Sequence, residues 1–200
     1  MSAFAVPTRE DQINFLLRLY FGAGKDPLNA CVQRAYRDLN RTLHGVSRLA
    51  EGVELRERAS LLLCSGLTSI ADSGTVLAQE AFDAWHCESC KQLEGVYAEY
   101  GYKFYVGQAQ KWINMAFKYV HVFGEGQLPG FKRLYAYGHV PLDNIMIIQL
   151  RNYEAPVLSK PWSRLCNYSE YMDFQNWFRG RFPGSAPLSV EFRLWQAPAV

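Results

Sequence analysis

The segment that most constrains the fold lies between two glycines, Gly107 and Gly124, and reads GQAQKWINMAFKYVHVFG. From Trp112 to Phe123 it is mostly apolar or aromatic. Its polar side chains recur at intervals of three, four and three residues, which places them on one face of a helix. Those four residues are Lys111, Asn114, Lys118 and His121. The pattern predicts a helix that is buried on most sides and has one narrow polar stripe.

Helical patterns recur along the rest of the chain. Thr8 with Asp11 is typical of an N-terminal cap, and a proline in the first turn, as in Asp26-Pro27, opens many helices. Further helices are predicted from Thr8 to Gly22, from Asp26 to Gly45, from Val53 to Ile70, from a Ser73 cap to Tyr100, from Asp143 onward and from Tyr168 to Arg179. A short final helix or strand follows. Because no segment alternates with a period of two, the predicted class is all-α, a compact multi-helix domain.

Composition limits the possible functions. The 200 residues are 49% hydrophobic and 20% charged, which fits one globular domain over residues 1–200. No apolar run reaches the length of about eighteen residues that a membrane span needs, and the start of the chain lacks a secretory pattern. The odd number of cysteines, five, fits reduced thiols in the cytoplasm. A net charge of +2 permits nucleic-acid binding without requiring it.

Two short stretches resemble a known family. Lys111 enters the apolar helix that closes on Phe123-Gly124, and the chain returns through Val140-Pro141-Leu142 to Asp143, 32 residues after the lysine. This arrangement resembles the helix-hairpin-helix DNA glycosylase superfamily, in which a lysine helix ends in Phe-Gly and a Val-Pro-Val-Asp segment follows. The long interval is most similar to the archaeal 8-oxoguanine DNA glycosylase type. The resemblance covers about residues 105–150.

The resemblance implies a helix-hairpin-helix glycosylase-like fold and an activity. Lys111 would attack the sugar C1′ and leave a Schiff base, and Asp143 would stabilise the developing positive charge. The expected partner is double-stranded DNA whose modified base is flipped into a pocket. The enzyme would act as a cytoplasmic, nucleoid-associated monomer without a cofactor or metal. An oxidised purine is the expected base, with a hypermodified base as an alternative.

The same resemblance assigns further site residues near Lys111. The residues expected to bind the base are Gln108, Gln110, Trp112 and Asn114. The residues expected to contact DNA are Gly107, Lys118, Lys132 and Arg133.

The chain departs from the family pattern at the DNA-binding hairpin. The usual Leu-Pro-Gly-Val-Gly before the lysine is replaced by Tyr105-Val106-Gly107, which keeps one glycine. That hairpin normally binds a phosphate through its backbone N–H groups. Leu128-Pro129-Gly130 is no substitute, because only eleven residues separate the following Lys132 from Asp143. The four-cysteine cluster of some endonuclease-III-like enzymes is also missing.

The sequence also permits simpler interpretations. Lys111 can be the solvated end of a polar stripe, and Asp143 can be only a helix cap. The chain would then be a helical binding or regulatory protein without chemistry. A third possibility is a glycosylase without lyase activity, in which Asp143 directs water and Lys111 binds DNA. The enzyme requires that the Lys111 amine and the Asp143 carboxylate face a common cleft.

One further motif suggests a metal. His86-Cys87 is followed by Cys90, but a structural zinc site usually needs a second such pair, which the sequence lacks. These cysteines are expected to be small core residues.

Overall fold

The computed structural model describes residues 6–22, 26–73 and 78–197. Within them the chain forms helices and short 3-10 turns, with no strand, so the all-α prediction is confirmed. The α-helices are α1 (Arg9–Phe21), α2 (Pro27–Leu39), α3 (Gly52–Asp72), α4 (Gln79–Glu99), α5 (Val106–Phe123), α6 (Asn144–Gln149), α7 (Tyr168–Arg181) and α8 (Pro187–Gln196). None of these helices has the length and apolar character that crossing a membrane requires.

Helix α5 lies at the centre of the fold. All its residues from Val106 to Val120 are buried, chiefly against α2 and α4. The Trp112 indole N–H donates to the Val32 carbonyl at 2.9 Å, which joins α5 to α2. The predicted buried helix is therefore confirmed. Its polar stripe is not on the surface, however, since Lys111 and Lys118 are only 5% and 6% exposed.

Most helix ends follow from local capping. The Thr8 hydroxyl accepts from the Asp11 N–H, and the Asp11 carboxylate accepts from the Thr8 N–H, so the predicted cap of α1 is a complete capping box. Asp26 caps α2 with a single bond, in which its carboxylate accepts from the Asn29 N–H. The predicted Ser73 cap is wrong, because Ser73 follows the last residue of α3 and the next helix begins at Gln79.

Two other boundaries differ from prediction. Helix α2 ends at Leu39, and a 3-10 turn from Asn40 to Thr42 occupies the segment predicted to continue it. Gly45 lies beyond that turn with a φ of 91°, a conformation that suits glycine. The final segment, left open as helix or strand, is helix α8.

The buried side chains form two apolar clusters with α5 between them. The larger cluster includes Trp112 and Phe117 and draws on α1 to α5. The smaller cluster includes Val106, Val140 and Leu142, and joins the start of α5 to α6, α7 and α8. The segment that leads into Asp143 is thus packed against the beginning of the lysine helix, although the two are far apart in sequence.

Gly107 is buried where α5 meets the 3-10 turn Trp162–Arg164. Its N–H donates to the Leu165 carbonyl at 3.1 Å. A Cβ atom added at Gly107 would lie 1.6 Å from the Trp162 carbonyl oxygen. A chain segment therefore covers Gly107 and uses its N–H, so the backbone here is not exposed for the predicted DNA contact.

Replacing Gly107 by alanine is expected to destabilise the protein by more than about 2 kcal/mol, because the new methyl group overlaps backbone rather than a movable side chain. Gly95 on α4 is the matched control, since its Cβ position has no neighbour within 4 Å. Gly95→Ala is expected to stabilise the helix by about 0.5–1 kcal/mol. Urea unfolding of both variants checks this. Equal stabilities would contradict the close approach at Gly107.

Candidate active site

Lys111 and Asp143 contact each other directly. The Lys111 Nζ donates to Asp143 Oδ2, and the two side chains are only 6% and 15% exposed. The other oxygen of the carboxylate, Oδ1, accepts from the Met146 N–H at 2.9 Å and caps α6. Asp143 is therefore both a helix cap and the partner of a buried lysine. Lys111 is not the solvated end of a polar stripe.

This pair lies in the wall of a cavity of about 650 Å³. The volume is within the range of small-molecule sites in proteins. Helices α1, α2, α5, α6 and α8 all contribute to the wall, and its aromatic side chains include Tyr20, Trp162, Phe192 and Trp195. The lysine amine and the aspartate carboxylate thus face a common cleft, the geometry that the enzyme interpretation requires.

A second buried ion pair lies in the same wall. The Lys118 Nζ is 2.7 Å from Glu191 Oε1 and 2.6 Å from Oε2, and both side chains are buried. Burial raises the pKa of Glu191, and the adjacent Lys118 opposes that rise. The Lys118 ammonium also lies 4.5 Å from the centre of the Phe192 ring. Lys118, which was predicted to contact DNA, is therefore buried in the cavity wall and does not lie on the outer surface.

Helix α2 forms the opposite side of the cavity. Arg34 stacks on the Tyr20 ring at 4.0 Å, and the Tyr119 hydroxyl donates to the Asp38 carboxylate. Arg37 on α2 and Arg41 in the 3-10 turn that follows it line the same cavity and are exposed. Neither forms an ion pair with any residue that the structure describes. Two cationic groups are therefore available to solvent at the cavity mouth.

The four residues predicted to bind the base do not line the cavity. Gln108 donates to the Thr42 carbonyl at 2.8 Å and Trp112 to the Val32 carbonyl. Gln110 and Asn114 bond to other buried groups behind the site. Helical geometry explains the error, since the cavity face of α5 repeats at i, i+4, i+7, i+8 and i+11 from Lys111. That face consists of Lys111, Met115, Lys118, Tyr119 and Val122.

The other two predicted DNA contacts lie away from the cavity. Lys132 is exposed, and its backbone N–H donates to the Glu125 carboxylate at 2.9 Å. The Arg133 guanidinium donates to the carbonyls of Ile70 and Ala71, so it satisfies the end of α3. Arg133 therefore has a structural role that the resemblance did not indicate.

A network of buried polar side chains lies behind the site. The Asp83 carboxylate accepts two bonds from Arg179, at 2.8 and 2.9 Å, and one from His139 Nε2 at 2.7 Å. The His86 Nε2 is 3.0 Å from the Asn114 amide oxygen. Burial lowers the pKa of His86 and of His139. Both rings are therefore neutral at pH 7. Among the described residues, no group of three His, Cys, Asp or Glu side chains could hold a metal ion.

No family model, curated protein or solved structure matches this chain. The interpretation of the site therefore depends on its own geometry. An amine paired with a carboxylate in the wall of an aromatic cavity provides a nucleophile, a proton acceptor and a binding space in one place.

The buried histidines predict a loss of stability in weak acid. The folded protein holds the pKa of His86 and His139 below 6.5, and that of His121 at about 4, whereas the unfolded chain takes up protons near pH 6.5. Stability is thus present above pH 6.5 and is lost as the pH falls through it, with a slope of up to about 1.4 kcal/mol per pH unit for each histidine.

Urea unfolding between pH 5 and 8 measures this slope. His86→Asn is expected to make the slope shallower, while His44→Asn, at an exposed position, leaves it unchanged. The same slope in both variants and the wild type would contradict the assignment to the buried ring.

Proposed function

We propose that this protein is a DNA glycosylase that excises a modified base with Lys111 as nucleophile and Asp143 as its electrostatic partner. The observation that supports this most directly is the contact between the Lys111 amine and the Asp143 carboxylate in the wall of a cavity with room for a flipped nucleotide.

The proposed reaction begins when Lys111 transfers a proton, with Asp143 the nearest acceptor, and becomes a free amine. Its nitrogen forms a bond to the sugar C1′, the bond from C1′ to the base breaks, and the base leaves with the electron pair and takes up a proton. That proton comes from Asp143, which is negative again as the bond breaks and stabilises the positive charge that develops on the sugar. Ring opening then yields the Schiff base from which strand cleavage can follow.

The cavity favours an oxidised purine of the guanine type. Its aromatic residues, among them Trp195 and Phe192, offer surfaces on which a flipped base can stack. The ion pair of Lys118 with Glu191 presents a donor next to an acceptor. The edge of guanine has the complementary pattern, with the O6 acceptor beside N–H donors.

The covalent mechanism is tested by borohydride trapping on duplex DNA that contains an oxidised guanine. The wild type is expected to form an adduct that Lys111→Ala abolishes. Asp143→Asn is expected to slow base release by about 10²–10³-fold. Lys91→Ala, which removes an exposed lysine on α4, is the control and leaves both signals intact.

Other outcomes separate the alternatives. Base release without an adduct would favour a glycosylase in which Asp143 directs water. No release and no adduct, with this or other modified bases, would reject the enzyme and favour a helical binding protein.

Arg37 and Arg41 are proposed to bind phosphates beside the flipped nucleotide, because they are exposed at the cavity mouth. Replacing either by glutamine is expected to lower the slope of log Kd against log salt concentration by about 1 for duplex DNA carrying an abasic-site analogue. Arg58→Gln, on α3 and outside the cavity wall, is the control. An unchanged slope in the Arg37 and Arg41 variants would place the DNA elsewhere.

A further inference from the structure

The segment from His139 to Leu142 is buried without being part of a helix. Two glutamine side chains form hydrogen bonds with its backbone N–H and carbonyl groups, as a neighbouring strand would in a sheet. Gln175 donates to the Val140 carbonyl at 2.9 Å and accepts from the Val140 N–H at 3.0 Å. Gln110 does the same for Leu142, donating to its carbonyl at 2.8 Å and accepting from its N–H at 3.1 Å. We call these four bonds the amide bridges.

The bridge from Gln110 joins the two halves of the candidate site. Gln110 immediately precedes Lys111 on α5, and Leu142 immediately precedes Asp143. The side chain next to the lysine therefore holds the backbone next to the aspartate. A lost or shifted bridge would move the Asp143 carboxylate relative to the amine without removing either group.

The orientation of the Gln110 amide is determined by its neighbours. The Asn114 amide nitrogen donates to Gln110 Oε1 at 3.0 Å and to the Tyr171 hydroxyl at 2.8 Å. The Asn114 oxygen accepts from His86 Nε2. Tyr171 in turn bonds His139 at 2.8 Å. Because each amide has one orientation that satisfies its partners, Gln110 cannot flip without breaking several buried hydrogen bonds.

We infer that Gln110 is a positioning residue that, through Leu142, sets the Asp143 carboxylate against the Lys111 amine. This inference rests on the proposed glycosylase function. It explains why a glutamine that does not line the cavity is completely buried beside the nucleophile. The expected effect of losing the bridge is a slower chemical step with little change in DNA affinity.

Gln110→Glu is the variant that tests the inference. A protonated glutamic acid has one donor and one acceptor, so it can form the same bridge to Leu142 and gives up only the second bond of the Gln110 amide, to the Gly107 carbonyl at 2.9 Å. An ionised carboxylate has acceptors only and leaves the Leu142 carbonyl without a donor. Single-turnover base release relative to wild type is therefore expected to be near normal at pH 5.5 and to fall at least tenfold by pH 8.

Other groups around Gln110 can also titrate or carry charge. They are Lys111 on α5, His86 on α4, Tyr171 on α7, His139 at the start of the His139–Leu142 segment and Asp143 directly after it. Dividing the rate of the variant by that of the wild type at each pH removes the pH dependence that these groups give the wild type. Gln149→Glu is the matched control, because Gln149 is also buried but donates to the Ala197 carbonyl. Its ratio is expected to stay constant with pH.

Hydrogen exchange of the Leu142 amide gives a readout that does not depend on activity. Its protection factor in Gln110→Glu, divided by the wild-type value at the same pH, is expected to fall between pH 5.5 and 8. A pH-independent rate ratio with unchanged Leu142 protection would overturn the inference, as would a loss of DNA affinity in place of the rate. If the wild type releases no base, the proposed function fails, and Leu142 protection still decides whether Gln110 holds the segment.

Discussion

Two lysines buried on one face of α5 determine how the rest of the chain packs around the candidate site. An unpaired buried charge costs several kcal/mol, so Lys111 and Lys118 each need a carboxylate nearby. The partners, Asp143 and Glu191, come from elements that follow much later in the sequence. Satisfying both lysines brings the start of α6 and the middle of α8 to the same face of α5. The space left between these helices and α2 is the cavity.

The opposite side of α5 is held by a hydrogen-bond network that contains one ion pair. There the Asp83–Arg179 pair, His139, Tyr171, Asn114 and Gln110 form one connected set of buried hydrogen bonds. This set ends on the backbone of the segment that leads into Asp143. The non-helical segment before Asp143 is thus held by buried hydrogen bonds, which favours a precise geometry between amine and carboxylate.

The all-α class, the buried helix and the Lys111–Asp143 pair were predictable from the sequence. The residues that line the cavity around this pair were not. Gln108, Gln110 and Trp112 were predicted to bind the base because they are near Lys111 in sequence, and Asn114 because it shares a helix face with Lys111. Successive residues on a helix point about 100° apart, so neighbours in sequence face different directions. The i, i+4, i+7 pattern from Lys111 would have indicated Met115 and Lys118 as cavity residues. No local pattern distinguished Glu191 from a surface glutamate.

The sequence by itself determined the helices, because capping residues and apolar periodicity act over a few neighbouring positions. Thr8 with Asp11, Asp26 before Pro27, and the interval from Gly107 to Gly124 are such local signals. Only the tertiary structure decided which polar residues are buried and what they contact. It buried Gly107 under the turn at Trp162 and placed Lys118 against Glu191. The reason is physical: these contacts join residues more than fifty positions apart, and their energy depends on the burial that the assembled fold creates.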